Sequence, residues 1–135
     1  MSIEIRYFSN SGRTKTIADT FAEAIGIEAF DITHEEPRNL DVDILFIGGA
    51  PHANIMAPEL RAYVERLKKE NVKLAILFTT SNWSLRTIKG MRKILEENGI
   101  KVAEESFNAN AFKMDEGVKD ARDFAKSMIE KYYDI

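Results

Sequence analysis

The chain has 135 residues, 19 Lys plus Arg against 22 Asp plus Glu, a formal charge of −3 and no cysteine. That length suits one domain able to bury a core without covalent cross-links. The missing cysteines exclude disulfides, thiolate metal sites, iron–sulfur clusters and cysteine nucleophiles, and the weakly acidic balance offers no basic face for nucleic acid.

The opening residues, MSIEIRYFSNSG, carry charge inside their apolar run and turn residues soon after, unlike a secretory signal. No segment approaches the ~20 apolar residues of a membrane helix. The expectation is one soluble, cytoplasmic domain over residues 1–135 with no membrane partner.

The first apolar run, Ile3 to Phe8, reads as a strand. Arg6 falls in its middle with Glu4 on the same face, which calls for a Glu4–Arg6 pair or a strand end open to solvent. Ile17, Phe21 and Ile25 then repeat every four residues, a helical stripe. Ile27 to Ile32 is a weaker strand suited to a sheet edge, and Thr33 to Asp41 has room for a short helix or an irregular crossover. Ile44 to Ile47, in DILFIGG, is a nearly continuous apolar run, as is Leu74 to Phe78, in KLAILFTT. Such runs suit parallel strands covered on both faces.

Between them Leu60, Tyr63, Val64 and Leu67 follow a three/four rhythm, with Pro58 placed for a first helical turn. Leu85, Ile88, Met91 and Leu95 mark a third helix, with Ser84 as its expected N-cap and Gly99 as its end. Lys101 to Phe107 is the second weak strand. A last helix from about Asp115 buries Val118, Phe124, Met128, Ile129 and Tyr132. Strands alternating with helices predict an α/β fold of right-handed βαβ units around a parallel sheet.

In open parallel sheets, ligands bind beyond the carboxyl ends of the strands. The loops to read are therefore Ser9–Thr14 (SNSGRT), Gly48–Pro58 (GGAPHANIMAP) and Thr79–Ser84 (TTSNWS). The first places hydroxyls at Ser9, Ser11 and Thr14, the Asn10 amide, Gly12 and Arg13 directly ahead of a helix. Backbone N–H groups at a helix start make an anion site, and small hydroxyl residues allow close approach. The lesser alternative, by spacing alone, is a plain helix cap with turn residues. It is neither a GxxxxGK[ST] nor a GxGxxG loop. In the second loop His52 follows Ala50 and Pro51 and precedes Ala53 and Asn54; it suits a general acid–base group, a ligand contact or a plain surface residue. Two histidines at the spacing of His34 and His52 are no metal site. The third loop offers Trp83, the only Trp, as a wall for a flat ligand or as cover for the core.

YFSNSGRTKTIADTFAEAIG resembles the opening of the flavodoxin family, a strand followed by [ST]-x-[ST]-G-x-T and a helix. GGAPHANIMAPELRAYVERL is similar to the family's second loop and following helix, and LFTTSNWS to its third loop. The resemblance runs from Ile3 to Phe107. It implies a doubly wound three-layer sandwich with a five-stranded parallel sheet in the order 2-1-3-4-5. It also implies flavin mononucleotide (FMN) as cofactor. Ser9, Asn10, Ser11, Gly12, Arg13 and Thr14 would then hold the phosphate. Ala50, Pro51, His52, Ala53 and Asn54 would flank one face of the ring. Trp83 would stack on the other, with Thr79, Thr80, Ser81, Asn82 and Ser84 along its polar edge. No catalytic residue or metal is implied.

The function implied is an electron carrier between a flavin or iron–sulfur reductase and an acceptor enzyme. A small FMN-dependent, quinone-type reductase, and a binding or regulatory module that has lost flavin, stand as alternatives on the same fold. Phosphatase and phosphocarrier relatives need a nucleophilic Cys and are excluded; a receiver domain needs acidic residues at the strand ends that this chain lacks. Two departures stand out. Ala53 occupies the place of a common Gly and resists φ > 0 by roughly 1 kcal/mol or more, which implies a weakly stabilised one-electron-reduced flavin. Ser84 and Leu85 stand where an acidic residue is usual, which implies a less negative potential that follows the protonation of His52.

Overall fold

The computed structural model describes residues 1–34, 40–53, 55–81 and 84–133. Five strands form one parallel sheet: β1 (Ile3–Phe8), β2 (Ala29–Asp31), β3 (Val42–Gly49), β6 (Val72–Thr80) and β7 (Lys101–Ala109). Two two-residue strands, β4 (Pro51–His52) and β5 (Ile55–Met56), make a separate antiparallel hairpin. The sheet order is β2-β1-β3-β6-β7, which is the predicted 2-1-3-4-5 once the hairpin is set aside.

Helices α1 (Arg13–Ile25) and α4 (Met114–Tyr132) cover one face; α2 (Pro58–Arg66) and α3 (Arg86–Glu97) cover the other. Alternation along the strands feeds both layers. Ile44, Phe46, Leu74, Ile76 and Phe78 point toward α1 and α4, while Leu45, Ile47, Ala75 and Leu77 point toward α2 and α3. Phe21 of α1 anchors the first layer, with ring centroids 5.0 Å from Phe78, 5.4 Å from Phe46 and 5.5 Å from Phe107. Burial of such rings is the main stabilising term in a core of this kind.

The end of β3 needs glycine for a steric reason. A Cβ on Gly48 would overlap the Phe78 carbonyl oxygen and stand 2.6 Å from the Phe78 ring. That contact lets β3 and β6 run side by side to the carboxyl edge, where Gly48 pairs with both Tyr7 and Phe78.

Several expected boundaries shift. The weak strand expected over Ile27 to Ile32 shortens to Ala29–Asp31 and turns at once into a 3₁₀ helix, Ile32–His34. As an edge strand it has a single ladder to hold it. The rest of the expected crossover, residues 35–39, lies outside the described residues. β3, β6 and β7 all extend beyond their apolar runs because polar and glycine residues at their ends still join the ladders. The N-cap of α3 is Leu85, not Ser84; the Ser84 hydroxyl still accepts from the Arg86 N–H at 3.3 Å. Pro58 stands in the first turn of α2, and Gly99 follows α3 with φ +82.

Arg6 resolves as an ion pair. Its Nη2 lies 2.5 Å from Glu4 Oε1, and its guanidinium sits 5.0 Å from the Phe30 ring centroid on the neighbouring strand. The Arg6 side chain is buried, its Nε and Nη1 included, while Glu4 is partly exposed and keeps one end of the pair near solvent.

Candidate functional site

The carboxyl ends of β1, β3, β6 and β7 open into one cavity of about 470 Å³. Asn10, Ser11 and Arg13 line it from the loop after β1, Ala50 and Pro51 from the loop after β3, and Thr80, Ser81 and Ser84 from the loop after β6. All three loops singled out in the sequence thus meet at one place. Ala111 and Phe112 complete the wall from the turn after β7. Sequence reading missed these two, although the same rule that selected the other loops applies to the end of a fifth parallel strand.

The loop after β1 is built around Gly12, the N-cap of α1, at φ +92 and ψ −9. This left-handed conformation suits glycine, and it turns the chain from the loop into the first turn of α1 beside the cavity. The Ser9 hydroxyl accepts from the Gly12 N–H at 3.1 Å, and the Ser11 hydroxyl from the Arg13 N–H at 3.4 Å. Among the described residues the N–H groups of Thr14 and Lys15 have no hydrogen-bond acceptor, and no acidic residue stands in the first turn. Free N–H donors, hydroxyls and Arg13 at the positive end of a helix form a donor set suited to a phosphate.

Thr14 takes a different part from the other hydroxyl residues. Its side chain is fully buried, and its Oγ1 lies 2.7 Å from Thr80 Oγ1. The Thr14 hydroxyl is therefore not part of the cavity wall. One residue earlier, the Thr79 hydroxyl donates to the Gly49 carbonyl at 2.6 Å. Consecutive residues at the end of β6 therefore fasten the other two loops. Ser81 closes the third loop on itself: its hydroxyl donates to the Ser84 carbonyl at 2.8 Å and lies 3.1 Å from Asn108 Oδ1.

In the second loop His52 and Ala53 are exposed on the small hairpin and stand outside the cavity wall, next to Pro51. Ala53 is the one non-glycine residue with positive φ among those described, at +50. The chain adopts the conformation that its side chain opposes, and the strain sits beside the cavity. Asn54, Asn82 and Trp83, expected at the ring, lie outside the described residues. Among the described residues, Arg13 is the one charged side chain in the cavity wall, and no carboxylate lines it.

Comparison with known proteins follows the same direction. A sequence profile described as a flavodoxin domain matches residues 4–130. No curated protein matches the chain. Among solved structures, it is similar to oxidised flavodoxin 2 from Bacillus cereus, with a TM-score of 0.81 and 20 % identity over 98 % of this chain and 100 % of that one. Flavodoxin 1 from the same organism superposes with a TM-score of 0.78 at 19 % identity, covering 96 % and 98 % of the two chains. The Fusobacterium nucleatum flavodoxin bound to flavin mononucleotide gives 0.74 at 12 % identity, covering 97 % and 99 %. At these identities the structures establish the fold.

Proposed function

Because the chain belongs to the flavodoxin family, we propose that it binds FMN at the carboxyl edge of its sheet and serves as an electron-transfer protein. The observation that carries the reading is the start of α1. There Gly12 in the left-handed region and the unpaired N–H groups of Thr14 and Lys15 begin the helix beside a cavity edged by Ser11 and Arg13. The Ser9 and Ser11 hydroxyls and those N–H groups hold the phosphate, and Arg13 adds a charge-assisted contact. Ala50 and Pro51 on one side and Thr80 to Ser84 on the other bracket the ring, with Trp83 on its face.

FMN supplies the one- and two-electron chemistry; the protein sets binding and local charge. With no described carboxylate in the wall, added negative charge on the ligand meets little repulsion from the protein, so its potential is less negative than beside acidic groups. The exposed edge of the cavity receives a reductase and an acceptor enzyme in turn, through a small transient interface. Similar folds also occur within larger proteins, a rubredoxin:oxygen oxidoreductase and a flavodiiron core, of which this chain spans 34 % and 36 %, in keeping with redox partners as a class.

The test is direct. Full-length protein stripped of flavin should quench the fluorescence of added FMN at one equivalent and bind riboflavin much more weakly, since the phosphate loop is the main anchor. It should accept electrons from a flavin reductase yet show little oxidation of NADH or NADPH with a quinone on its own. Absence of FMN binding removes the proposal, and rapid stand-alone quinone reduction turns it into an enzyme.

A further inference from the structure

Phe112 is the most exposed large apolar side chain among the described residues, at 77 %. It nevertheless stands in the wall of the same cavity as Ala50, Pro51, Ser81 and Ser84. The turn presenting it is tightly held. The Phe112 N–H donates to Asn110 Oδ1 at 2.9 Å, and the Lys113 N–H donates to the Asn110 carbonyl at 3.0 Å. The turn is also fastened to the loop after β6. Ser81 donates its N–H to the Ala109 carbonyl at 3.0 Å, and Ala111 donates to the Ser81 carbonyl at 3.4 Å. The Ser81 hydroxyl, 3.1 Å from Asn108 Oδ1, adds a tie to the end of β7.

Strand order gives this turn its place. β7 is the neighbour of β6, whose other neighbour is β3, so the turn after β7 lies beyond the loop after β6 as seen from Ala50 and Pro51. Phe112 therefore extends the side of the cavity formed by Thr80, Ser81 and Ser84. The donors suited to a phosphate sit elsewhere, at the start of α1, and a phenyl ring adds no donor to them. It matches the flat, apolar part of a ligand instead. Held as it is, the ring can be covered by a ligand with little further ordering of the chain, so the gain from removing it from water is kept.

From this placement we infer that Phe112 is a ring contact of bound FMN, supplied by a fourth loop beyond the three that the sequence singles out. It packs on the isoalloxazine from the side of Ser81 and Ser84 and shields that part of the ring from water. The inference rests on the flavin reading above and adds to it a binding residue from the end of the fifth parallel strand. Because the contact is made to the ring and not to the phosphate, it serves FMN and riboflavin alike.

The experiment titrates the full chain, stripped of flavin, with FMN and with riboflavin, following fluorescence at fixed salt; riboflavin keeps the ring and lacks the phosphate. Phe112→Ala should weaken both ligands by a similar factor, about 3- to 10-fold, the range of one lost aromatic contact. Phe112→Tyr, which keeps the aromatic face, should stay within about twofold of the parent for both ligands. Arg13→Gln marks the opposite pattern, a loss for FMN that riboflavin does not share. Because the Phe112 side chain is exposed, urea unfolding of the flavin-free chain should be the same for Phe112→Ala as for the parent. If the parent binds FMN while Phe112→Ala leaves both affinities unchanged, or weakens FMN alone, Phe112 is no ring contact. Unchanged affinities together with slower reduction by a flavin reductase would overturn the inference in favour of a partner's docking face. If the parent itself fails to bind FMN, the flavin reading falls and takes the contact with it.

Discussion

Thr14 Oγ1 and Thr80 Oγ1 lie 2.7 Å apart beneath the cavity, both side chains buried, joining the first turn of α1 to the end of β6. The two hydroxyls have one another as partner, so removing either leaves the other unsatisfied. Thr80→Val should cost about 1–2 kcal/mol of folding stability, as should Thr14→Val. The double variant should cost less than the sum, because the lone buried hydroxyl disappears. If the pair also positions the phosphate loop, Thr80→Val lowers FMN affinity about 3- to 10-fold and leaves riboflavin affinity unchanged. Equal losses for both ligands would reduce the pair to a packing feature.

Gly48 is the steric hinge of the sheet's carboxyl edge. Its missing Cβ makes room for the Phe78 carbonyl and ring, and backbone cannot retreat without breaking the β3–β6 ladder. Gly48→Ala should therefore destabilise by at least ~3 kcal/mol, the upper range of overpacking. Urea unfolding is the measurement; a loss below about 1 kcal/mol would show that the strands can separate locally.

Ala53, at φ +50, stores local strain that glycine would not. Relief of a left-handed Ala, about 1–2 kcal/mol, outweighs the extra chain entropy of glycine, about 0.5–1 kcal/mol. Ala53→Gly should raise stability by roughly 0.5–1 kcal/mol in thermal or urea unfolding. It should also widen the separation of the two midpoint potentials of bound flavin. An unchanged separation would mean that the hairpin turn does not report on the flavin's redox state.

Ser84 lines the cavity where no described carboxylate stands. Placing one there, Ser84→Asp, should shift the more reducing midpoint potential to more negative values by tens of millivolts, the size of one unscreened charge a few ångströms away in a partly wet site. The shift should shrink as salt rises. A potential that stays put in both low and high salt would place this loop away from the ring.

Glu105 supplies a pH dependence remote from the site. Hydrogen bonding from Lys131, and secondly from Tyr132 at 2.6 Å, lowers its pKa from an ordinary 4.5 to about 2. Because the folded value is the lower one, the stability it contributes is present above pH ~4.5 and disappears as pH falls through about 2. Glu105→Gln should flatten this part of the acid-unfolding curve and loosen α4 from β7. An acid limb identical to that of the parent protein would show that the cluster is fully screened.

Residue order alone determined the fold class and the neighbourhood of the site. Runs such as DILFIGG and KLAILFTT, alternating with helical stripes, suit parallel strands buried on both faces, and a parallel sheet gathers the ligand-binding loops at its carboxyl edge. The loops Ser9–Thr14, Gly48–Pro58 and Thr79–Ser84 were therefore legible as one neighbourhood from residue order. Local chemistry also marked Pro58 and Gly99 at helix ends. Tertiary structure alone decided the matters that depend on pairs distant along the chain. It turned the Thr14 hydroxyl toward Thr80 rather than the cavity, pinned the turn carrying Phe112 to the Ser81 loop, and set Arg6 against the Phe30 ring of the neighbouring strand. Periodicity reports which face a residue takes; the partner it meets there depends on which strands become neighbours, and that is fixed only when the sheet closes up around its core.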